Sequence, residues 1–319
     1  MKRIGVLTGG GDAAGMNAAV RAVTRTAWSK GAEVIGIRRG WLGLSEADGK
    51  VMEPGSVSGI LHTGGTILRT FRYPEMKEAK GQEKVQRALR KLRLDGLVVI
   101  GGDGSFRGSD IIDRVFGVPV VGVPATIDND IPGTDMSIGF DTALNIAVEA
   151  VDKIRDTATS HGRIFVIEVM GREYGLLALE VGIACGAEEV ILPEIPHDVD
   201  EMCRRIESGY DRGKRHAIII VAEGAGKASY ITFEIQNRLQ RDVRMAVLGH
   251  VQRGGSPTAF DRILATRLGH FATELLFEGK HGVMVGLVSN KFRTSPLRKS
   301  SKGLRKAVVK YAEIQRLLS

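Results

Sequence analysis

Nine short, mostly apolar runs divide the chain: RIGVLT (3–8), EVIGI (33–37), GLVVIG (96–101), VPVVGVP (118–124), RIFVIEV (163–169), EVILPE (189–194), AIIIVAEG (217–224), MAVLG (245–249) and VMVGLV (283–288). They are too short for ordinary helices and rich in the branched residues that favour strands. Because they do not alternate polar with apolar, both faces of the sheet they form must be covered. Segments with helical spacing, such as MNAAVRAVTRTAWSK and EKVQRALRKLR, lie between most of them. Strands alternating with helices predict an α/β fold built on mainly parallel sheets.

Glycine supplies 41 of 319 residues, about twice its usual share of roughly 7%. Many glycines stand where the apolar runs stop, in LTGGGDAAG, VVIGGDGSFRG, EVMGREYG, VAEGAG and LGHVQRGG. Open α/β sheets bind ligands beyond those strand ends. A new group of strands begins after DTALNIAVEAVDKIRDTATS, which places a domain change near residue 140.

The loop after GLVVIG holds Gly101, Gly102 and Gly104 around Asp103. Three side chains that are single hydrogens leave backbone N–H groups open to an anion. Asp103 would repel phosphate unless a cation intervened, and a carboxylate with phosphate oxygens suits Mg2+. The N-terminal GGGDAAG is a second phosphate loop, with Gly9, Gly11 and Ala14 at the three small positions of a dinucleotide fingerprint. An acid after the second strand would support NAD, but Arg38 and Arg39 stand there. Walker A spacing is absent as well.

PATIDND (124–130) then brings Asp128 and Asp130 into one loop at the end of an apolar run. Two phosphate loops and a magnesium aspartate imply phosphoryl transfer, in which one carboxylate takes the proton of the attacking hydroxyl. The other would help hold or orient the metal. Arg72, Arg163, Arg172, Arg244, His250 and Arg253 sit at glycine-rich or strand-end positions, where arginine suits bidentate phosphate recognition.

Other classes find less support. The net charge of +8 is concentrated in residues 291–319, which hold nine Lys and Arg against one Glu. That tail lacks the interleaved aromatics of a base-stacking surface, so no nucleic acid is expected and the tail reads as a solvated or subunit-facing surface. Cys185 and Cys203 have no zinc-ligand spacing, and the seven histidines form no H-E-x-x-H pattern. No apolar stretch approaches the roughly 20 residues of a membrane-crossing helix, and MKRIGVLTGG lacks a signal-peptide pattern. The expected compartment is the cytoplasm, without membrane attachment.

Taken in order, LTGGGDAAGMNAAVR, GGDGS, PATIDNDIPGTD, GFDTA, HGRIFVIEVMGR, AEG and VLGHVQRGGSP resemble the bacterial ATP-dependent 6-phosphofructokinases from residue 1 to beyond 290. The resemblance implies two doubly wound domains facing each other across an active-site cleft. An ATP-binding domain would hold residues 1–139 and 252–302, and a fructose 6-phosphate-binding domain residues 140–251 and 303–319. It assigns Gly11, Arg72, Tyr73, Gly102, Asp103, Gly104 and Ser105 to ATP, and Asp103 to Mg2+. Asp128 becomes the general base, with Thr126 and Asp130 beside it, while Arg72 and Arg172 stabilise the transferring phosphoryl group. Fructose 6-phosphate falls to Arg163, Arg244, His250 and Arg253 with Met170, Gly171 and Glu223. Arg163 and Arg244 would reach in from a neighbouring subunit, implying a homotetramer.

An effector site for ADP or phosphoenolpyruvate is implied at Arg21, Arg25, Arg155, Glu188, Arg212, Lys214 and Arg215. Pro54 and Gly59 depart from the family's usual arginine and aspartate, so an altered ligand balance is expected. Bulky Arg69 and Phe71 in RTFRYPEM also depart from the pattern. Pyrophosphate-dependent relatives place Asp at the last glycine of the loop and Lys before the Thr of TIDND; Gly104 and Ala125 here favour ATP. The alternatives are a pyrophosphate-dependent enzyme and a noncatalytic sugar-phosphate sensor on the same fold.

Overall fold

The computed structural model describes residues 1–298 and 302–318. Its strands are β1 (Arg3–Gly9), β2 (Glu33–Ile37), β3 (Gly49–Val51), β4 (Gly96–Gly101), β5 (Val120–Pro124), β6 (Ile164–Val169), β7 (Glu189–Ile191), β8 (Ala217–Ala222), β9 (Val243–Val247), β10 (Val283–Val288) and β11 (Lys291–Pro296). The helices are α1 (Met16–Ser29), α2 (Gly40–Ser45), α3 (Ala79–Leu92), α4 (Asp103–Phe116), α5 (Phe140–His161), α6 (Leu176–Cys185), α7 (Val199–Asp211), α8 (Ala228–Leu239), α9 (Ala259–Phe277) and α10 (Lys302–Leu318). The chain divides into two compact units, Met1–Thr142 with Arg253–Ser300 and Ala143–Gln252 with Ser301–Ser319.

In the first unit the strand order is β11-β10-β5-β4-β1-β2-β3. The five inner strands run parallel, and β3 and β11 close the edges antiparallel. Every residue of β4 is buried, as its unbroken apolar run requires. The order in which strands are added reverses between β1 and β4, so the loops after those parallel strands flank the switch point where doubly wound sheets take ligands. Asp261, fully buried in the first turn of α9, accepts hydrogen bonds from Gly139 N and Thr142 N, each at 2.8 Å, and from Thr142 Oγ1. It thereby fixes the start of α5; burial pushes its carboxyl up from the ordinary range.

The second unit holds a wholly parallel sheet in the order β7-β8-β6-β9. β6 and β8 are its central strands, and Ile218, Ile219, Ile220 and Val221 of β8 are fully buried. Burying each such side chain contributes roughly 1.5–3 kcal/mol.

Three sequence readings change. β3 and β11 are strands that the apolar pattern does not reveal, because both are polar edges paired through one side only. The run at 189–194 stops at Ile191, ahead of Pro193, which has no N–H for a ladder. The basic tail is not merely a solvated surface. Lys291–Pro296 is β11, where Phe292 stacks on Phe271 with ring centroids 4.8 Å apart. Further on, α10 packs against α6 and buries Val308, Ala312 and Gln315.

Candidate active site

Three loops meet at the carboxyl ends of β1, β4 and β5 in the first unit. Gly102 caps α4 in extended conformation, placing Asp103 in the first turn, where the helix dipole favours a carboxylate. The side chain of Asp103 is half exposed and pairs with Arg107 one turn on. At Gly104 a Cβ would meet nothing within 4 Å, so the fold itself does not demand glycine there. Ser105 is buried, and its Oγ accepts a 3.3 Å hydrogen bond from Trp41 Nε1. The hydroxyl therefore ties the loop to the core. Trp41 escaped the sequence reading because it lies on a short apolar helix with no motif around it.

The TIDND loop is built around its asparagine. Asn129 adopts a left-handed backbone, φ 49°, which Asn tolerates better than most residues. Its Nδ2 donates to Asp135 O at 2.9 Å and its Oδ1 accepts from Ser137 N at 2.8 Å. Pinned from inside, the loop carries Asp128 and Asp130 on either side of that anchor. Asp128 is 4% exposed, and its N–H donates to Thr126 Oγ1 at 3.2 Å. Ala125 N donates to Gly101 O at 3.0 Å, joining this loop to the glycine loop of β4.

The N-terminal glycine loop is organised by Arg253. Its Nη1 donates to Asp12 O at 3.0 Å, and a Cβ on Gly11 would stand 2.5 Å from that nitrogen. Arg253, which the resemblance assigns to the sugar phosphate, belongs to this unit, and its guanidinium lies against the first phosphate loop. Arg72 is exposed, on a segment held by Thr70 Oγ1 donating to Gly10 O at 2.8 Å. Tyr73 is buried in the same hydrophobic cluster as Trp41, and burial raises its phenol above the ordinary value. Its side chain is thus a packing element first.

In the second unit the ends of β6, β8 and β9 bring together Met170–Gly171–Arg172, Glu223 and the turn at 249–253 up to Gln252. Glu223 Oε1 accepts from Arg172 N at 2.7 Å, orienting a residue whose own φ is 51°. Gln252 is 1% exposed and links this loop to the turn bearing His250: its Oε1 accepts from Met170 N at 3.4 Å and its Nε2 donates to Gly249 O at 3.1 Å. The signal for Gln252 in the sequence was only its place between His250 and Arg253.

Arg163 and Arg244 lie elsewhere. Both pair with Asp242, Arg163 Nε at 2.6 Å and Arg244 Nε at 2.8 Å, beside the amino end of β6. The six residues of β6, at about 3.3 Å each, put roughly 20 Å between that pair and Arg172. Hydrogen bonding from Arg163 holds the Asp242 carboxyl below its ordinary range.

Of the effector residues, Glu188, Arg212 and Lys214 line one cavity of about 280 Å³ with Tyr210 and His216. Lys214 Nζ stands 3.3 Å from Glu188 Oε1. Arg155 donates to the Cys185 carbonyl, Arg215 is exposed, and Arg21 and Arg25 project from α1 in the first unit, the former half-buried and the latter exposed. Gly59 has φ 69°, a conformation an aspartate adopts less readily.

Glycine loops at a switch point, an acid at a helix start and a buried aspartate on the adjoining loop define a phosphate-handling α/β protein of the doubly wound class. The chain belongs to the phosphofructokinase family, whose model matches residues 3–276. It is 57% identical over 291 residues to the ATP-dependent 6-phosphofructokinase of Halalkalibacterium halodurans, covering 91% of each chain. To the enzyme of the same name from Bacillus subtilis it is 56% identical, again over 91% of each. Among solved structures, the phosphofructokinase of Saccharomyces cerevisiae superposes with a TM-score of 0.87 at 37% identity, over 99% of this chain and 47% of the yeast chain.

Proposed function

We propose that the chain transfers the terminal phosphoryl group of ATP to the C1 hydroxyl of D-fructose 6-phosphate, giving fructose 1,6-bisphosphate, the committed step of glycolysis. The observation that carries this reading is the junction of the buried Asp128 loop with the glycine loop of Asp103, made through Ala125 N and Gly101 O. A base and a phosphate cradle fixed to one another are what in-line transfer to a hydroxyl requires.

The first unit supplies the donor loops and the base. Asp128 accepts the hydroxyl proton, Thr126 and Asp130 shape its loop, and Gly11, Arg72, Tyr73 and residues 102–105 receive the nucleotide. Asp103 suits a magnesium ion by the chemistry of its donor set: a hard carboxylate at a half-exposed helix start. A single protein carboxylate suits an ion whose other ligands are phosphate oxygens and water. When bound, that ion neutralises charge on the phosphate oxygens. Gly104 favours ATP, since a residue without a side chain does not crowd the nucleotide's phosphates.

The second unit supplies the acceptor ligands apart from Arg253, which belongs to the first. Met170, Gly171 and Glu223 hold the sugar, His250 and the arginines its phosphate, and Arg172 stabilises the moving phosphoryl group. Since Arg163 and Arg244 lie beside the opposite strand ends from Arg172, a neighbouring copy would supply them, and the assembly we propose is a homotetramer. Exposed Met245 and Val247, which follow Arg244 on the edge strand β9, fit contact with a second copy. ADP and phosphoenolpyruvate are proposed as effectors at the cavity of Glu188 and Lys214, together with Arg21, Arg25, Arg155, Arg212 and Arg215. Unchanged kinetics and melting temperature with either at millimolar concentration would remove that role. No helix among the described residues is long and apolar enough to cross a membrane, and we place the enzyme in the cytoplasm.

The test is fructose 1,6-bisphosphate formation with Mg2+, run in parallel with ATP and pyrophosphate. Product with ATP alone is expected. Product only with pyrophosphate overturns the donor assignment, and none with either makes the chain a sugar-phosphate sensor.

A further inference from the structure

Asp103 is where the donor's metal is expected, yet its carboxylate already has a cation. Arg107 stands one helical turn further along α4 and bonds Asp103 Oδ2 through Nη2. The two side chains are 67% and 44% exposed, respectively, so neither is locked in place by packing. An incoming divalent ion and Arg107 therefore compete for one carboxylate.

We propose that Arg107 is a built-in counter-ion for Asp103, one that lowers the dependence of nucleotide binding on the metal. The inference rests on the reading of the glycine loop as the nucleotide site. With Arg107 in place, a polyphosphate arriving without metal meets a neutralised carboxylate rather than a bare one. A metal-bound nucleotide must first displace the guanidinium. Removing Arg107 weakens the first kind of binding and relieves the competition in the second, so the ratio of the two dissociation constants rises. An exposed ion pair one helical turn apart contributes about 0.3–0.5 kcal/mol, so the ratio should rise roughly twofold.

The experiment titrates a non-hydrolysable ATP analogue into the full-length protein, with excess Mg2+ and with EDTA, by calorimetry. Wild type, Arg107→Met and Asp103→Asn are compared. The ratio of metal-free to metal-bound dissociation constants should rise roughly twofold in Arg107→Met and fall below the wild-type value in Asp103→Asn. Methionine keeps helix propensity and length, so a purely structural role for the pair predicts no change in the ratio. A ratio in Arg107→Met equal to or below that of wild type within replicate error, with Asp103→Asn behaving as stated, overturns the counter-ion role alone. If Asp103→Asn also leaves the ratio unmoved, the metal assignment of Asp103 fails, and the inference fails with it.

Discussion

The two sheets arrange their chemistry differently. In the first unit every residue assigned to the donor and the base stands at the carboxyl ends of β1, β4 and β5 or on segments tied there by hydrogen bonds. In the second, Arg172, Glu223 and His250 stand by the carboxyl ends, whereas Arg163 and Arg244 gather on Asp242 near the other end. If the proposed assignments hold, the first unit is locally complete, whereas the second would need its two sets of ligands to come from different copies. Under the proposed assignments, the contrast predicts nucleotide binding by a single chain and sugar-phosphate binding by an assembly.

The strongest test of the first half is Asp128→Asn. It keeps the shape and the Thr126 contact of the backbone while removing the proton acceptor, so kcat should fall by about 10²- to 10⁴-fold. Binding of an ATP analogue should stay within a factor of about two. Steady-state kinetics and calorimetry on the same preparation separate these; near-normal turnover would take the base role from Asp128.

Arg244→Ala tests the second half. Loss of a charge-assisted phosphate contact, roughly 1.5–3 kcal/mol, raises KM for fructose 6-phosphate by about ten- to a hundredfold. Co-expressing Asp128→Asn with Arg244→Ala chains sharpens the comparison. If ligands are shared between copies, some mixed sites carry both intact sets and activity rises above either parent. No recovery in purified mixed oligomers would mean that each chain completes its own site.

How far these contrasts could be read without coordinates depended on whether the local chain held the information. The parallel sheets were legible because a buried strand must be continuously apolar, and β4 and β8 are. The polar edges β3 and β11 were not, since pairing on one side leaves no apolar signature. Within the candidate site, motif residues such as Asp103 and Asp128 stood out by their glycine or apolar surroundings. Trp41, Arg107 and Gln252 did not, because each acts through a partner distant in sequence or through a single helical turn. Asn129 lay in plain view between two aspartates, but its anchoring role depends on Asp135 and Ser137, whose approach only the folded loop defines.

A smaller effect is expected from Gly224→Ala. A Cβ there would sit 1.7 Å from the Arg172 carbonyl oxygen, so the backbone of the Arg172 loop must move. Displacing a positioned group by a fraction of an ångström costs on the order of tenfold in rate. The loss should appear in kcat with the sugar phosphate saturating, while affinity for the ATP analogue, carried by the other unit, is unchanged. Equal losses in both would show that the two units do not keep their tasks separate.

The smallest effect concerns pH. Arg163 depresses the Asp242 carboxyl below its ordinary 3.8, so the folded state binds that proton more weakly than the unfolded chain does. The cluster's contribution is therefore fully present above about pH 3.8 and is lost only as pH falls through the depressed value. Between pH 7 and 5 Asp242 stays ionised and keeps both arginines in place, so lowering the pH over this range should leave the melting-temperature difference between wild type and Asp242→Asn constant. That difference should itself be small, because exposed ion pairs contribute little to stability. A difference that shrinks before pH 5 would mean that Asp242 is protonated early, and that the arginines at this end of the sheet are not held as a cluster ready for a neighbouring copy's ligand.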